Sequence, residues 1–283
     1  MKAIQHSTVV AAAFLALAMP ASAQTPGSVE AAIAYLEGRQ QADGAFAEPG
    51  RAPDPSLTSW AVLGLTAAGR APSASADYLS GKPHPSATDL ELRILALAAL
   101  DRDVSAFADR LEELRRPDGA IGPTVNSTIW GVLALGAAER PVGKKTVRFV
   151  LREQAREGGW SWSIGAGPDS NDTAAAVQAL RAAGIGPAAK PIRRALTYLR
   201  SLQNADGGFE LTAGRGSDTQ STSWAVQAFL AAGRKPGSAA YAYLERMRRA
   251  DGSFRYSARY AVTPVWVTAQ ALAALAGRPF PLP

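Results

Sequence analysis

The sequence predicts an all-α fold, a single-domain α6/α6 toroid in which six helix pairs build two concentric rings. Three observations predict it: a seven-residue frame recurs five times, an amphipathic helix precedes the frame, and a nearly all-apolar helix follows it. The apolar helix of each pair is expected to lie buried, while the amphipathic helix covers it and faces water. Six such pairs can close into a ring, which removes the exposed ends that an open array must cap.

The first 23 residues are predicted to be a signal peptide and not part of the fold. Lys2 precedes an apolar run over residues 8–19 that is too short for a stable transmembrane helix. Ala21-Ser22-Ala23 then provides the small residues at which signal peptidase cuts. We expect a toroid of residues 24–283 that is exported, either to the periplasm or to the extracellular space.

The recurring frame reads Gln-x-x-x-Gly-x-aromatic. Three copies begin at Gln40, Gln154 and Gln203, and two more, beginning at Arg115 and Arg248, have arginine in place of the glutamine. The glycine of each frame is expected to supply the positive φ that ends the preceding helix.

The helices on either side of the frame define the two rings. Upstream, Ile192, Ala195 and Leu199 follow helical spacing, with arginines on the opposite face, which is typical of a surface helix. Downstream, a Ser, Thr or Asp is expected to cap each inner helix. The second pair lacks the frame, and its outer helix is predicted to be short, over 75–80. The predicted inner helices are 59–68, 89–100, 129–137, 173–183 and 222–232, with a sixth from Pro264.

Composition excludes several kinds of site. The chain has no cysteine and only two histidines, His6 and His84, so it cannot form disulfides, thiolate sites or a multi-histidine metal site. We therefore expect no metal and no cofactor. The net charge is +6, but the basic residues are spread along the chain and not gathered on one face. This pattern argues against nucleic-acid binding and allows a weak association with an anionic cell envelope.

The repeated frame resembles the repeat of the squalene and hopene cyclases, within a superfamily of toroids that includes the protein prenyltransferases. The most specific match is Asp169-Ser170-Asn171-Asp172, directly before Thr173, which resembles the Asp-x-Asp-Asp-Thr-Ala segment of the cyclases. The resemblance implies that the middle position donates a proton to an alkene or epoxide. In this chain that position is Asn171, and an amide cannot supply the proton. Asp172 is expected to be a helix N-cap with a lowered pKa.

The resemblance also separates branches of the superfamily. It implies that the cyclases combine two toroid-like domains and act on the cytoplasmic side, and that the prenyltransferases need a zinc ion with a cysteine ligand. Exported carriers of vitamin B12 form a third branch, which binds a ligand without chemistry and has a smaller β-domain that this sequence lacks.

Two groups of side chains are candidates for a ligand site. Tryptophans recur at or next to one position of the inner helices, where they either pack between repeats or ring one mouth of the toroid, and a further tryptophan, Trp162, falls outside the repeat pattern. Acidic and amide residues precede the inner helices. As a calcium loop this segment fails, because its sixth position is Ala174 and not glycine. The candidate residues are Trp60, Trp130, Trp224, Trp266, Trp162, Asp169, Asn171, Asp172 and Asp218.

Taken together, the residues and the resemblance predict an exported toroid that binds a small or hydrophobic ligand, or a partner, without catalysis. A corrinoid is one such ligand by analogy. A terpene cyclase of the squalene type is the first alternative. A carbohydrate-active toroid is the second, because paired carboxylates also serve glycoside hydrolysis. The oligomeric state and the identity of the ligand stay open.

Overall fold

The computed structural model describes residues 26–281, so the predicted signal peptide lies outside the described residues. Within this part of the chain there are twelve helices, and the extended pairing consists only of isolated bridges. The outer helices are α1 (Pro26–Glu37), α3 (Ser75–Ser80), α5 (Ser105–Glu113), α7 (Lys144–Arg152), α9 (Lys190–Ser201) and α11 (Ser238–Met247). The inner helices are α2 (Pro55–Ala67), α4 (Ala87–Ala99), α6 (Val125–Ala137), α8 (Ser170–Ala182), α10 (Thr219–Ala231) and α12 (Pro264–Leu275).

The inner helices form a closed ring. Each one packs against the inner helix before it and the one after it, and α12 packs against α2. The outer helix α1 also contacts α12, so the first and last repeats meet. The predicted all-α toroid of two concentric rings is therefore confirmed. No helix among residues 26–281 has the length and apolarity needed to cross a bilayer.

Five of the six inner helices begin two to four residues earlier than predicted, and the sixth begins at Pro264, as predicted. Five of them start after a polar N-cap residue whose side chain accepts a hydrogen bond from a backbone N–H three positions later. A capped polar turn therefore precedes the apolar run that marked each helix in the sequence. The prediction that Asp172 is an N-cap is wrong for this reason. The five N-caps are Asp54, Ser86, Thr124, Asp169 and Asp218.

The frame joins each outer helix to the next repeat. In the third full copy, Gln203 Nε2 donates to the carbonyl of Gly207 at 2.9 Å, and Gln203 pairs with Phe209 across the turn. Gly207 has a φ of 85°, and a Cβ there would lie 2.4 Å from the carbonyl oxygen of Ala239, the second residue of α11. The glycine thus supplies the predicted positive φ and lets the turn approach the next outer helix.

The second repeat, which lacks the frame, uses a buried arginine in its place. Arg93 of α4 is 1% exposed, and its guanidinium donates to the carbonyls of Leu79, Lys82 and Pro83 at the end of α3. These contacts supply further hydrogen bonds to the carbonyls at the end of a short helix. The predicted short outer helix over 75–80 is confirmed.

Ring closure depends on a carboxylate from the first repeat. Glu48 accepts hydrogen bonds from the backbone N–H groups of Val265 at 3.0 Å and Trp266 at 2.9 Å, at the start of α12. At other inner helices a backbone carbonyl of the following loop takes this position: the carbonyl of Trp162 accepts from Asn126 at the start of α6. Where the last repeat meets the first, the Glu48 carboxylate therefore accepts the kind of hydrogen bond that loop carbonyls accept at other inner helices.

The described C-terminal residues close the lower end of the inner ring. Phe280 is 4% exposed, and its backbone N–H donates to Gln178 Oε1 of α8 at 2.7 Å. Its ring lies 5.7 Å from that of Trp224 and 6.2 Å from that of Trp60. The chain thus returns under its own inner helices and fills the axis of the toroid from that end.

Candidate functional site

Equivalent positions of the inner helices face the toroid axis in two layers. In five inner helices a threonine hydroxyl, such as that of Thr128 or Thr173, accepts a hydrogen bond from the backbone N–H of the frame's last residue. Leu90 takes the equivalent position in α4, and this position sets the register in which the six helices are compared. Two residues before it lies the mouth layer, which consists of Ser56, Thr88, Asn126, Asn171, Gln220 and Trp266. Two residues after it, one turn deeper, lies the floor layer of Trp60, Leu92, Trp130, Ala175, Trp224 and Gln270.

A cavity of about 390 Å³ opens between these layers at the end of the ring where the inner helices begin. This volume falls in the range of small-molecule sites. Seven of the nine predicted site residues line it together: Trp60, Trp130, Trp162, Trp224, Asp169, Asn171 and Asp172. Its other lining residues are Thr88, Leu92, Asn126, Ala175, Leu211 and Gln220.

The tryptophans of the floor layer pack against one another as well as lining the cavity. The rings of Trp60 and Trp130 lie 5.5 Å apart at 89°, those of Trp60 and Trp224 5.9 Å apart at 88°, and those of Trp130 and Trp224 5.4 Å apart at 79°. Edge-to-face contacts of this kind are favourable beyond the area that they bury. The same three tryptophans therefore pack against one another and also line the cavity.

One small residue makes room for the cavity. Ala175 of α8 occupies the floor-layer position at which α2, α6 and α10 each have a tryptophan. The missing ring leaves space beside Asn171 and Asp172, which lie on the same helix one turn nearer the mouth. The deepest part of the site therefore lies against α8.

Two predicted residues lie outside this cavity. Trp266 belongs to the mouth layer of α12, one turn above the other repeat tryptophans, and lines a separate side cavity of about 290 Å³ with Glu48 and Arg51. Asp218 caps α10, where its carboxylate accepts from the backbone N–H of Ser221 at 2.7 Å and from the Ser221 hydroxyl at 2.9 Å. Burial raises the pKa of Asp218 to about 6.

The two aspartates of α8 form a buried pair. Asp169, the N-cap, accepts from the backbone N–H of Asp172 at 2.8 Å. Asp172 is 5% exposed, and burial, the nearby charge of Asp169 and a hydrogen bond between the two carboxyls raise the pKa of Asp172 to about 8. The expected lowering of this pKa is therefore wrong, because the residue lies inside the first turn and not at the cap. Asp172 carries a proton at neutral pH.

Sequence reasoning did not single out Asn126. It occupies on α6 the mouth-layer position that Asn171 occupies on α8, and its Nδ2 donates to Asp172 Oδ1 at 2.5 Å. Its Oδ1 is buried and has no hydrogen-bond partner among the described residues. The signal was present, because Asn126 precedes Thr128 by two residues, as Asn171 precedes Thr173.

The charge of the site is set by acidic and neutral groups alone. Among the described residues, no lysine or arginine lines the cavity, and no group of three or more acidic or histidine side chains is arranged to hold a metal ion. The site can therefore offer aromatic faces, neutral hydrogen-bonding groups and one protonated carboxyl.

Exposed apolar side chains surround the mouth. Trp162 and Ile164, in the loop before α8, are 54% and 67% exposed, and Tyr260 and Val262, in the loop before α12, are 58% and 53% exposed. Both loops precede inner helices, so the four side chains lie at the end of the toroid where the cavity opens. We call them the apolar rim.

Comparison with known proteins supports the predicted resemblance. Residues 125–261 match the family described as the squalene-hopene cyclase C-terminal domain. No curated protein matches the chain at the level of sequence.

Solved structures share the fold at low sequence identity. A protein from Actinoplanes superposes with a TM-score of 0.69 at 20% identity, over 89% of this chain and 98% of that chain. A variant of the type II terpene cyclase MstE from Scytonema, in complex with its substrate geranylgeranyl dihydroxybenzoate, superposes with a TM-score of 0.68 at 16% identity, over 89% of this chain and 96% of that chain. A glycosidase variant gives a TM-score of 0.64 at 13% identity, over 89% and 97%. The fold is confirmed, and the resemblance to the squalene/hopene cyclases is confirmed over residues 125–261.

One implication of the resemblance does not hold. A type II terpene cyclase does not need two toroid-like domains, because this single toroid covers 96% of the MstE chain. It covers 50% of the ent-copalyl diphosphate synthase from Streptomyces platensis, with a TM-score of 0.59 at 22% identity. The number of domains therefore does not separate a cyclase from a binding protein.

Proposed function

We propose that this toroid of the squalene/hopene cyclase type binds a small hydrophobic ligand in its tryptophan-lined cavity and holds it without catalysis. The observation that carries the proposal is the cavity of about 390 Å³ between the two axis-facing layers. Its floor presents three tryptophans, and a ligand pocket is typically apolar with a few polar groups to orient the ligand. The volume favours a ligand smaller than a corrinoid.

The polar groups of the site favour binding over proton transfer. The middle position of the cyclase-like segment is Asn171, which cannot donate a proton. Asp172 does hold a proton, but its raised pKa makes it a weak acid. An alkene is a very weak base, so a weak acid protonates it poorly. The same carboxyl is well suited to orient a ligand through a hydrogen bond.

Titration of the protein with farnesol, followed by calorimetry and by quenching of tryptophan fluorescence, tests the proposal. We expect saturable binding with one site per chain. Ala175→Phe should abolish it, because the added ring fills the space beside Asn171, whereas Ala188→Phe, in the exposed loop before α9, should bind like the parent. Binding that survives Ala175→Phe unchanged, or the absence of binding to any small apolar compound, would overturn the assignment to this cavity.

A terpene cyclase is the second candidate, and one observation favours it. Asp172 is protonated at neutral pH and lines a cavity whose tryptophan faces could stabilise a developing cation. Incubation with squalene or geranylgeraniol, followed by gas chromatography and mass spectrometry, distinguishes the two functions. We expect no cyclised product. A product that is lost in Asp172→Asn, which keeps the shape of the side chain, would replace the non-catalytic proposal by the cyclase.

A carbohydrate-active enzyme has less support. Glycoside hydrolysis needs two carboxyl groups on opposite sides of the scissile bond, about 5 Å or more apart. Asp169 and Asp172 instead interact directly with each other. Among the described residues, no other acidic side chain lines the cavity. The likeness to a glycosidase is a likeness of fold.

We also propose that the protein works outside the cytoplasm, in loose association with the cell envelope. The signal-peptide pattern of residues 1–23 supports export. The apolar rim and the exposed Arg215 and Arg259 beside it support contact with an anionic lipid surface at the cavity mouth. Cosedimentation with anionic vesicles should fall in Ile164→Ser/Val262→Ser, and unchanged sedimentation would remove this part of the proposal.

A further inference from the structure

The mouth of the cavity offers hydrogen bonds but no cationic partner. Its polar lining consists of amides, one hydroxyl and the carboxyl pair, without a lysine or arginine in the described chain. A diphosphate or carboxylate placed there would lose its hydration and lie beside Asp169 without a compensating charge. An anionic ligand end is therefore disfavoured.

The mouth layer contains a buried hydrogen-bond acceptor, Asn126 Oδ1, to which no described residue donates. Asn126 is 5% exposed, its Nδ2 donates to Asp172, and its Oδ1 has no hydrogen-bond partner within residues 26–281. A buried polar atom without a partner is costly, and natural structures satisfy nearly all of them. A ligand that supplies an O–H to Asn126 Oδ1 would satisfy it.

Donors face the same space. Asn171 and Gln220 line the mouth, and neither side-chain amide nitrogen has a hydrogen-bond partner among the described residues. A hydroxyl is the smallest uncharged group of an organic ligand that can donate to Asn126 and also accept from one of these amides. Both carboxyl groups already accept hydrogen bonds, Asp169 from the N–H of Asp172 and Asp172 from Asn126. The pair therefore does not require an amine on the ligand.

We propose that the ligand is a hydrophobic alcohol, with an uncharged hydroxyl held by Asn126 Oδ1 at the mouth and an apolar body on the tryptophan floor. The proposal rests on the proposed function, since it names the class of molecule that the cavity binds. It makes Asn126 the residue that selects the polar end of the ligand.

A set of probes with one apolar body and different ends tests the proposal by calorimetry. Farnesol, farnesyl methyl ether, farnesene, farnesyl diphosphate and farnesylamine differ only at the end that would face Asn126. We expect farnesol to bind on the order of tenfold more tightly than the ether and the hydrocarbon, because the ether can accept but cannot donate. The diphosphate should bind most weakly.

Two variants locate the effect. In Asn126→Leu, farnesol should bind no more tightly than the ether, while the affinity for farnesene stays within about twofold of the parent. Leu211→Ala, which shortens an apolar lining residue, should weaken all probes by a similar factor and leave the alcohol-to-ether ratio unchanged.

The outcomes separate this proposal from the function on which it rests. Equal affinity of the parent for farnesol and its methyl ether, or tighter binding of the diphosphate or the amine, overturns the alcohol and leaves the hydrophobic cavity standing. Failure of every probe to bind overturns both. The comparison of alcohol and ether on the parent protein needs no variant, so a folding defect in Asn126→Leu cannot obscure the result.

Discussion

The Asp172 carboxyl lies within the first turn of α8, between Asp169 and Asn126, and burial is the main cause of its raised pKa. In the unfolded chain the same group would titrate near its ordinary value of 3.8. Between that value and about 8, the folded chain keeps a proton that the unfolded chain releases. The contribution of Asp172 to stability is therefore fully present below pH 4 and decreases as the pH rises to about 8.

This linkage gives a prediction for Asp172→Asn. An amide of the same shape does not titrate, so the variant should lose less stability than the parent between pH 5 and pH 8 and should melt a few degrees higher at the alkaline end. Thermal unfolding followed by circular dichroism across this range measures it. Asp77→Asn, on the exposed face of α3, should follow the parent curve. Parallel curves for parent and Asp172→Asn would contradict the raised pKa.

At the residue scale, the sequence identified most of the site but not its charge. The tryptophans and the Asp169–Asp172 segment were visible as repeats and as a resemblance, and four of the five candidate tryptophans line one cavity with Asp169, Asn171 and Asp172. The protonation of Asp172 was not predictable, because it depends on burial against α6 and on Asn126, which is distant in sequence. A sequence pattern indicates which groups are near in the chain and not what solvent they lose.

At the scale of elements, the frames are not equivalent as ties between repeats. Gln154 Nε2 donates both to the carbonyl of Gly158 at 2.8 Å and to that of Pro191, at the start of α9, at 2.9 Å. Gln203 Nε2 donates, among the described residues, only to Gly207 of its own frame. One glutamine therefore joins two repeats, and the other closes its own turn.

Alanine substitutions should reveal this difference. Gln154→Ala should lower the free energy of unfolding by about 1–2 kcal/mol and Gln203→Ala by about 0.5–1 kcal/mol, because the first variant loses two hydrogen bonds to backbone carbonyls and the second loses one. Urea denaturation of both variants, with equal m-values, measures the two costs. Equal costs, or a larger cost for Gln203→Ala, would show that the tie to α9 contributes nothing.

The element pattern was predictable where the repeat was intact. Helix type and order followed from apolar periodicity, and the errors were at the helix starts, where a polar capped turn lies outside the apolar run. The substitute for the missing frame of the second repeat was not predictable. Arg93 acts from the following helix, α4, on the carbonyls of α3, and nothing in the local pattern of either segment indicates that contact.

At the scale of the whole molecule, the ring closes through contacts between residues more than 200 positions apart. Glu48 binds the start of α12, and the last frame packs on the first outer helix, since a Cβ at Gly252 would lie 2.2 Å from the carbonyl oxygen of Ala31. The count of repeats predicted closure, and Gly252 contributes to it as the other frame glycines do between neighbouring repeats, but the repeat pattern does not predict Glu48.

Closure through Glu48 can be tested directly. Glu48→Ala should lower the free energy of unfolding by about 1.5–3 kcal/mol, because two charge-assisted hydrogen bonds to the start of α12 are lost. Glu30→Ala provides the control. Its ion pair with Arg70 at 3.8 Å is largely exposed and should contribute less than about 0.5 kcal/mol. Equal denaturation midpoints for Glu48→Ala and the parent would contradict this account of ring closure.

Phe280 gives the toroid one further property, which concerns time. Because the ring of Phe280 and the tryptophan floor fill the axis from below, the described part of the chain leaves the cavity open at its mouth, and we expect entry and exit to share that opening. An incoming molecule cannot push a bound one out at the far end, so the first must leave before the second arrives. Exchange of one ligand for another should then proceed at the dissociation rate of the first, whatever the concentration of its competitor. The residence time of a bound ligand therefore depends on that ligand and not on its competitor.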